Sequence, residues 1–458
     1  MKMRNMFEDT IIAIATPLGQ GGLGIVRLSG KRSLAIAKKI FKGRKGPVPI
    51  RRPVLGTIQG SNTDGPLDEA FLTYFKAPRS YTREDIVEIS CHGSPVVLEE
   101  VVRLGVRLGA RHAHPGEFTL RAHLNGRLDI IQAEAVNDLI RAVSLTQARI
   151  SFKQLGGSLS RMIGLIREKI VHVLSRVEAG IEFPDENFGT SREGTTREIR
   201  NVIGDVKELI AGYDAGRSLA EGITLAIAGR TNVGKSTLFN ALLGEERAIV
   251  TPYPGTTRDF IRERLVIRGA VFNLVDMAGL GRTDHPVERE GVRRGERLAG
   301  EAAGVLLVFD GSRSAGREDI GLLEKFQNLH IIIIINKIDL PRKLDRAMFG
   351  HPVGHIPVVE ISALKGLNLD VLKKRIHSLF VSSSRGREDM ILHSRQKIIL
   401  EEMLEVLEAA KSAFQEGYPE EVGGEELRKA IPMIGRLTGE ISAREVIDDI
   451  FSRFCVGK

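Results

Sequence analysis

The chain has no tryptophan, two cysteines and five tyrosines among its 458 residues. Because Cys91 and Cys455 lie far apart in the sequence, they exclude a disulfide framework and fit a reducing cytoplasm. No stretch reaches the ~18 consecutive apolar residues of a membrane-spanning helix. The first residues, MKMRNMFEDT, are polar and lack the apolar core of a secretory signal. We therefore expect a cytoplasmic protein with no membrane segment.

The composition, with 42% hydrophobic and 27% charged residues, is typical of soluble globular domains. At roughly 100–200 residues per domain, the length predicts two to four domains. The net charge of +8 favours a polyanionic partner. However, many soluble proteins are mildly basic, and the absence of Trp leaves little material for stacking bases. Composition alone therefore leaves nucleic-acid binding open.

Four stretches of different character divide the sequence. Residues 1–119 mix short apolar runs with glycine and proline, which predicts an α/β domain. Residues 120–221 and 382–458 show helical spacing, whereas residues 222–381 alternate apolar strands with polar helices, as in a mostly parallel sheet. We expect a helical domain, built from the two flanking segments, with an α/β domain inserted into it. Three helices are predicted from apolar positions: Leu155, Leu159, Met162, Ile166, Ile170, Val173 and Val177 for the first, Ile199, Val202, Val206, Leu209 and Tyr213 for the second, and Ile398, Leu400, Leu404, Leu407 and Phe414 for the third. Ser442 and Glu445 could form a capping box at the start of a later helix.

A phosphate-binding loop opens the inserted domain. Residues Gly229 to Ser236 read GxxxxGK[ST] directly after the strand ITLAIAG and before the helical segment TLFNALLG. This context disfavours the alternative of a simple glycine-rich turn. Lys235 would reach the β and γ phosphates and act in hydrolysis, and Ser236 would bind Mg²⁺. The residues that we expect to contact the nucleotide here are Asn232, Val233, Gly234, Lys235, Ser236 and Thr237.

The sequence NKID after the five-isoleucine strand predicts that the base is guanine. The Asp339 carboxylate can accept two hydrogen bonds, from guanine N1–H and the exocyclic amine, a pair that adenine does not offer. The Lys337 stem would lie along the ring. The predicted base-binding residues are Asn336, Lys337, Ile338 and Asp339, followed by Ser362, Ala363 and Leu364 in a loop that contributes backbone contacts.

The remaining nucleotide motif is DMAG, residues Asp276, Met277, Ala278 and Gly279, after the strand VFNLV. Asp276 would hold the Mg²⁺ shell, and the Gly279 amide would meet the γ-phosphate. Many GTPases place a water-orienting Gln next, where this chain has Leu280, which has no group for that task. We expect a Ras-like GTP hydrolase whose hydrolytic group comes from elsewhere in the chain.

Three segments resemble the MnmE (TrmE) family of tRNA-modification GTPases: ATPLGQGGLGIVRLSG near the start, TPYPGTTRD at 251–259, and FCVGK at the end. The resemblance extends along essentially the whole chain. The resemblance implies that K⁺ replaces an arginine finger and that Glu288 positions the attacking water. This chain departs from the family's pattern at two positions. It has Met277 where the family usually has Thr, and Gly281 where the family often has Arg. The implied ligands are Asn232, Thr251, Tyr253 and Thr256 for K⁺, Ser236 and Thr257 for Mg²⁺, and Pro252, Pro254 and Gly255 for the nucleotide.

The resemblance also implies a tetrahydrofolate-binding and dimerisation domain at residues 1–119. Arg27, Glu88, Arg127 and Lys458 match the family's folate-contacting positions, although the family usually has Lys at the position of Arg127. The implied one-carbon donor is 5,10-methylenetetrahydrofolate, with 5-formyltetrahydrofolate as its analogue. Cys455 is either catalytic or, as is more common for a free Cys, a small buried hydrophobe.

The function that the resemblance implies is potassium-dependent GTP hydrolysis coupled to tRNA modification. A homodimer, in a heterotetramer with the FAD- and NADH-dependent MnmG (GidA) subunit, would add an aminomethyl or carboxymethylaminomethyl group to C5 of the wobble uridine (U34) of certain tRNAs. One alternative is a ribosome-assembly switch of the Era or Der type, and another is a stand-alone folate-dependent aminomethyltransferase. A single G domain with helical flanks disfavours the first, and a complete GTP site disfavours the second.

Overall fold

A computed structural model describes most of the chain, which forms two compact units. One unit comprises Met1–Asn137, Gln154–Val202 and Glu405–Lys458, and the other comprises Asp138–Lys153 and Ile203–Leu404. The described residues are 8–43, 46–60, 65–183, 191–213, 216–217, 222–246, 262–276, 302–326, 329–345, 356–381, 393–441, 444–452, 454 and 457.

A seven-stranded sheet forms the N-terminal part of the first unit. Its strands are β1 (Ile11–Ile14), β2 (Gly21–Ser29), β3 (Phe41–Gly43), β4 (Val54–Gln59), β5 (Pro66–Phe75), β6 (Ile86–Gly93) and β7 (Arg111–His112), in the order β3-β4-β5-β6-β2-β1-β7. All neighbours are antiparallel except β1 and β7.

One face of this sheet packs against two helices, α1 (Ser33–Ile40) and α2 (Pro95–Arg107), around a single core. Strand β6 shows the alternation that produces this arrangement, since Val87, Ile89 and Cys91 are buried while Glu88 and His92 point to the other face. The α/β prediction for this region is therefore confirmed, and its polar side chains lie on the sheet face opposite α1 and α2.

Helices make up most of the chain between and after the two sheets. They are α3 (Glu117–Leu124), α4 (Ile130–Arg141), α5 (Leu145–Leu155), α6 (Ser158–Glu182) and α7 (Arg192–Ala211), with α11 (Ser394–Gln415), α12 (Glu420–Thr438) and α13 (Arg444–Ser452) after the second sheet. Among the described residues, no helix is both long and apolar enough to cross a bilayer.

The long helix predicted from Leu155 onward begins at Ser158. Gly157 has a φ of 81° and separates α5, which ends at Leu155, from α6. The predicted positions Leu159, Ile166, Ile170, Val173 and Val177 of α6 are buried, whereas Met162 is half-buried and the neighbouring Ile163 is buried instead. Gly424 of α12 approaches Val177 of α6, and an added Cβ there would lie 3.4 Å from the Val177 side chain.

Of the other two predicted helix stripes, the one at residues 199–213 is confirmed and the one at residues 398–414 is partly wrong. All five predicted positions of the 199–213 segment are buried. In α11, however, Ile398 is 53% exposed and Leu404 is half-buried, whereas Ile399, Leu400 and Met403 are buried. The prediction for Ile398 is wrong because, at 100° per residue, the stripe through residues 399, 400, 403 and 407 turns position 398 toward solvent. The predicted capping box at Ser442 lies outside the described residues.

A six-stranded sheet forms the centre of the second unit. Its strands are β8 (Ile223–Ala228), β9 (Arg262–Ile267), β10 (Ala270–Asp276), β11 (Gly304–Asp310), β12 (His330–Asn336) and β13 (Val358–Glu360), in the order β13-β12-β11-β8-β10-β9. All neighbours are parallel except β9 and β10, which confirms the mostly parallel sheet. The helices of this region are α8 (Lys235–Glu246), α9 (Arg317–Phe326) and α10 (Leu369–Phe380).

The five-isoleucine strand β12 is buried on both faces. Ile332 and Ile334 join one core, with side chains of α8 and α10. Ile331, Ile333 and Ile335 join the core on the other side, with Phe326 of α9. Continuous apolar character is typical of a parallel strand covered on both sides. It also leaves the polar NKID sequence no place except the carboxyl end of the sheet.

Candidate functional site

The phosphate-binding loop connects β8 to α8 in backbone conformations that favour glycine. Gly229 has a φ of 152°, and an added Cβ would lie 2.4 Å from the Val308 carbonyl oxygen. Gly234 has a φ of 97°, and its Cβ would lie 2.3 Å from Asn336 Nδ2. Since both sites exclude a side chain, the loop backbone packs directly against Val308 of β11 and the Asn336 side chain.

Lys235 is buried at the start of α8. Its Nζ donates hydrogen bonds to the carbonyl oxygens of Gly229, at 2.8 Å, and Arg230, at 2.5 Å. The ammonium is therefore held by the carbonyl oxygens at the start of the loop. Ser236 and Thr237 follow it and are exposed. This combination of a cation, helix N–H groups and a hydroxyl suits a phosphate chain and its metal ion.

Asn336, at the end of β12, joins two loops with its buried carboxamide. Its Nδ2 donates to the Val233 carbonyl oxygen at 2.9 Å, and its Oδ1 accepts from the Ala363 backbone N–H at 2.9 Å. The phosphate loop and the predicted base loop are therefore linked through one side chain that is 3% exposed.

Lys337 links the same region by charge. Its Nζ donates to the Asn232 carbonyl oxygen at 2.8 Å and to Asp310 Oδ2 at 2.6 Å. Burial raises the pKa of Asp310, but hydrogen bonds from Lys337 and Ser312 outweigh burial and hold that pKa below its usual value. The carboxylate is therefore ionised at neutral pH and pairs with the lysine.

Asp339 is exposed and directed by a serine. Ser362 Oγ donates to Asp339 Oδ1 at 2.6 Å, and this hydrogen bond lowers the pKa of Asp339. Ser362 Oγ also accepts from the Lys365 backbone N–H at 3.2 Å. The Ile338 N–H donates to the Ile361 carbonyl, and Leu364 is 76% exposed. An ionised carboxylate is thus oriented at the open edge of the sheet, where it can accept hydrogen bonds from a base.

The other predicted nucleotide residues lie mainly outside the described part of the chain. Asp276 is the last residue of β10 and pairs with Ile227, which puts its backbone one strand from the phosphate loop. The predicted residues outside the described ranges are Thr251, Pro252, Tyr253, Pro254, Gly255, Thr256, Thr257, Met277, Ala278, Gly279 and Glu288.

The residues matched to folate contacts come together on the N-terminal sheet. Arg27 and Glu88 are cross-strand partners, with Arg27 Nε donating to Glu88 Oε1 at 2.9 Å. Arg27 Nη1 also donates to the Gly457 carbonyl oxygen at 3.3 Å, so Gly457 lies at this cluster. Lys458 itself is outside the described residues.

Tyr81 connects Arg27 to Arg127. The guanidinium carbons of Arg27 and Arg127 lie 5.9 and 4.7 Å from its ring centroid, distances suited to cation–π contacts. Arg127 Nη1 donates to the Tyr81 carbonyl oxygen at 2.7 Å, and the Tyr81 hydroxyl shares a 2.9 Å hydrogen bond with Thr119. Burial raises the pKa of Tyr81, so its hydroxyl is neutral at physiological pH.

Two residues of these clusters were missed by sequence reasoning. Asp310 ends β11, and its position after an apolar strand of a parallel sheet is the signal that could have found it. Tyr81 is one of only five tyrosines but follows no strand or motif that would single it out.

Comparisons with known proteins cover nearly the whole chain. A family model for the MnmE helical domain matches residues 130–455, and a model for the GTP-binding protein TrmE N-terminus matches residues 10–127. The tRNA modification GTPase MnmE of Aquifex aeolicus is 42% identical over 98% of this chain and all of its own length. The proteins of the same name from Desulforamulus reducens and Thermoanaerobacter pseudethanolicus are 38% and 40% identical, each over 99% of this chain and all of its own length.

The Asp339 geometry predicts a change in base preference. Asp339→Asn should weaken GDP binding roughly 10- to 100-fold, because hydrogen bonds to a charged acceptor contribute about 1.5–3 kcal/mol. It should strengthen xanthosine diphosphate binding, since the new amide can donate to the 2-oxo group. Fluorescence titration with both nucleotides measures the effect. Asp370→Asn, the same change at an exposed position in the first turn of α10, is the matched control. Unchanged GDP affinity in Asp339→Asn would contradict the assignment.

Proposed function

The chain belongs to the MnmE family of tRNA modification GTPases, and from this membership we propose that it hydrolyses GTP while modifying the wobble uridine of certain tRNAs. In this proposal it adds an aminomethyl or carboxymethylaminomethyl group to C5 with a tetrahydrofolate one-carbon donor. It acts in the cytoplasm as a homodimer, together with the FAD- and NADH-dependent MnmG (GidA) subunit.

The observation that carries the GTPase part is the Asn336 carboxamide, which joins the phosphate loop at Val233 to the base loop at Ala363. A phosphate-binding loop linked through Asn336 to the loop whose Ser362 orients an ionised Asp339 is an arrangement for a guanine nucleotide. The alternative of an Era- or Der-type switch is disfavoured, because relatives named tRNA modification GTPase match 98% or more of this chain.

In this proposal, the four segments 1–119, 120–221, 222–381 and 382–458 have different functions. We assign folate binding and dimerisation to the first, GTP to the third, and the helical support, with the CVGK end, to the second and fourth. The sheet of the third segment supports this assignment, since its carboxyl edge gathers Lys235, Asn336 and Lys337.

At the nucleotide, Lys235 and the first N–H groups of α8 bind the β and γ phosphates. Ser236, exposed in the first turn of α8, and Thr257 would hold Mg²⁺, which supplies charge to neutralise the transferring phosphoryl group. Because Leu280 replaces the water-orienting Gln, Glu288 is assigned the positioning of the attacking water.

The proposed K⁺ ligands are Asn232, Thr251, Tyr253 and Thr256. The charge of K⁺ would offset the negative charge that develops between the β and γ phosphates. Asn232 fits this role, because its backbone carbonyl is taken by Lys337 while its side chain is exposed. The amide oxygen of Asn232 is thus the group available to a cation.

In the N-terminal domain, Arg27, Glu88, Arg127 and Lys458 would bind the reduced folate. A carboxylate such as Glu88 can accept from the pterin N–H and amino groups, and guanidinium groups suit the glutamate tail. The contact of Arg27 with the Gly457 carbonyl supports a role for Lys458, the next residue along the chain.

A deletion strain tests the proposed function directly. Mass spectrometry of tRNA nucleosides should show loss of the C5-modified wobble uridine. A plasmid with the wild-type chain should restore it, and Asp339→Asn should not, because that variant no longer selects GTP. An unchanged nucleoside profile in the deletion strain would disprove the tRNA assignment.

The cation proposal predicts that hydrolysis depends on the salt. Replacing KCl with NaCl should slow GTP turnover by roughly 100- to 1,000-fold, the range expected when one stabilising group is lost from a transition state. GDP affinity, measured in parallel, should change little, because the cation acts on hydrolysis. Equal turnover in the two salts would refute the K⁺ site.

The folate proposal predicts that Arg27→Ala weakens binding of 5-formyltetrahydrofolate about tenfold or more, since a charge-assisted contact is lost. Isothermal titration calorimetry measures this, with GTP hydrolysis expected to persist. Arg103→Ala, which removes the same charge from the exposed side of α2, should bind the folate normally. Unchanged affinity in Arg27→Ala would leave the Arg27–Glu88 pair as a structural ion pair.

A further inference from the structure

Asp310 occupies a central position in the second sheet. It is the last residue of β11, which lies between β12 and β8 in the strand order. Asp310 pairs in register with Asn336, the residue before Lys337. Strand β8, on the other side, leads into the phosphate loop. The carboxylate therefore lies between the two strands that deliver the base-binding and phosphate-binding residues.

The two carboxylate oxygens of Asp310 accept hydrogen bonds from different partners. Oδ1 accepts hydrogen bonds from the Ser312 N–H at 2.9 Å and the Ser312 hydroxyl at 2.6 Å, which fixes the side chain in its own turn. Oδ2 accepts from Lys337 Nζ at 2.6 Å, and Arg313 is more distant, at 3.7 Å. The Asp310 side chain is 6% exposed and that of Lys337 is 28% exposed, so this charge-assisted bond is partly shielded from water.

Lys337 connects the Asp310 carboxylate to the phosphate loop. Its ammonium has three protons, and one of them is donated to the Asn232 carbonyl oxygen at 2.8 Å. Asn232 has a φ of 64° and Lys337 a φ of 67°, both in the left-handed region that non-glycine residues rarely adopt. Two strained backbone positions are thus joined through one ammonium, which Asp310 fixes from the opposite side.

We propose that Asp310 is a positioning residue that couples base recognition to the conformation of the phosphate loop. It holds the Lys337 ammonium against the Asn232 carbonyl, so the two loops take up their binding conformation together. The inference rests on the proposed guanine site and adds to it a residue that touches neither base nor phosphate.

The coupling has a consequence for the proposed cation site. The Asn232 side chain is the described member of that site, and its backbone is held by Lys337. Loss of Asp310 should therefore loosen Asn232 as well as the base loop. An Asp310 variant should need more K⁺ for half-maximal hydrolysis than the wild-type chain does.

A double-mutant cycle on the full-length protein tests the coupling. Asp310→Asn keeps the size of the side chain but removes its charge. Dissociation constants for a fluorescent GDP are measured in K⁺-free buffer for the wild type, Asp310→Asn, Lys337→Met and the double variant. Asp310→Asn should weaken binding about tenfold, the lower end expected for a charge-assisted hydrogen bond. The double variant should bind no more weakly than Lys337→Met, because both changes act through one group.

Ser312→Ala is the matched control, since it removes the hydroxyl hydrogen bond to Asp310 Oδ1 but keeps the backbone N–H bond to the same oxygen and leaves the Lys337 pair intact. Its GDP affinity should stay within about twofold of the wild type, as expected for a position that does not act through Lys337. Thermal melting without nucleotide reports stability separately. If Asp310→Asn melts well below the wild type, Asp310→Ser replaces it in the cycle, because serine places no amide donor against the ammonium.

Three results would count against the inference, and they are distinguishable. Wild-type affinity in Asp310→Asn would refute the positioning role, and additive losses in the double variant would show that Asp310 acts independently of Lys337. A wild-type chain that fails to bind GDP would instead disprove the guanine site on which the inference rests. A loss in Asp310→Asn that is absorbed by Lys337→Met, together with a raised K⁺ requirement, would support the coupling.

Discussion

The proposed nucleotide site depends on the buried carboxamide of Asn336. Its Nδ2 donates to the phosphate loop at Val233 and its Oδ1 accepts from the base loop at Ala363. A carboxamide has both a donor and an acceptor, so it can join two backbones that each need one partner. Burial makes each bond costly to lose, because a displaced group would remain unpaired away from water. The two loops therefore keep a fixed separation, as required to bind the phosphates and the base of one molecule.

This arrangement is possible because β8, β11 and β12 are adjacent and parallel. Parallel strands end at one edge, so the residues that follow them meet there although they are distant in sequence. The edge also carries strain, since Asn232 and Lys337 both have positive φ values. Such conformations cost on the order of 1–3 kcal/mol each and persist only where surrounding contacts enforce them. The hydrogen bond between Lys337 Nζ and the Asn232 carbonyl is one of those contacts, and it lies within the site that it stabilises.

The N-terminal cluster achieves its geometry by other means. Arg27 and Glu88 face each other on neighbouring antiparallel strands, where cross-strand pairs lie in direct contact. The ring of Tyr81 then contacts both Arg27 and Arg127, which keeps two cations on one aromatic surface. Because the two arginines would otherwise repel each other, the ring and the Glu88 carboxylate together make their proximity tolerable. A site of this kind suits a ligand that is both flat and anionic.

The motifs assigned to phosphate and base could be recognised in the sequence, since each is a short run whose chemistry is local: Gly229 to Ser236, NKID and the Ser362 loop. The fold class also followed from periodicity, although Ile398 was placed on the wrong face of its helix. The long helix predicted from Leu155 begins only at Ser158, after Gly157. Residue types and spacing determined that this protein binds a nucleotide and that its base is guanine. Only the tertiary structure decided that Asp310 holds Lys337 and that Tyr81 joins two arginines. Both contacts link segments far apart in the chain, and their geometry is set by strand order and packing, which no local pattern of residues encodes.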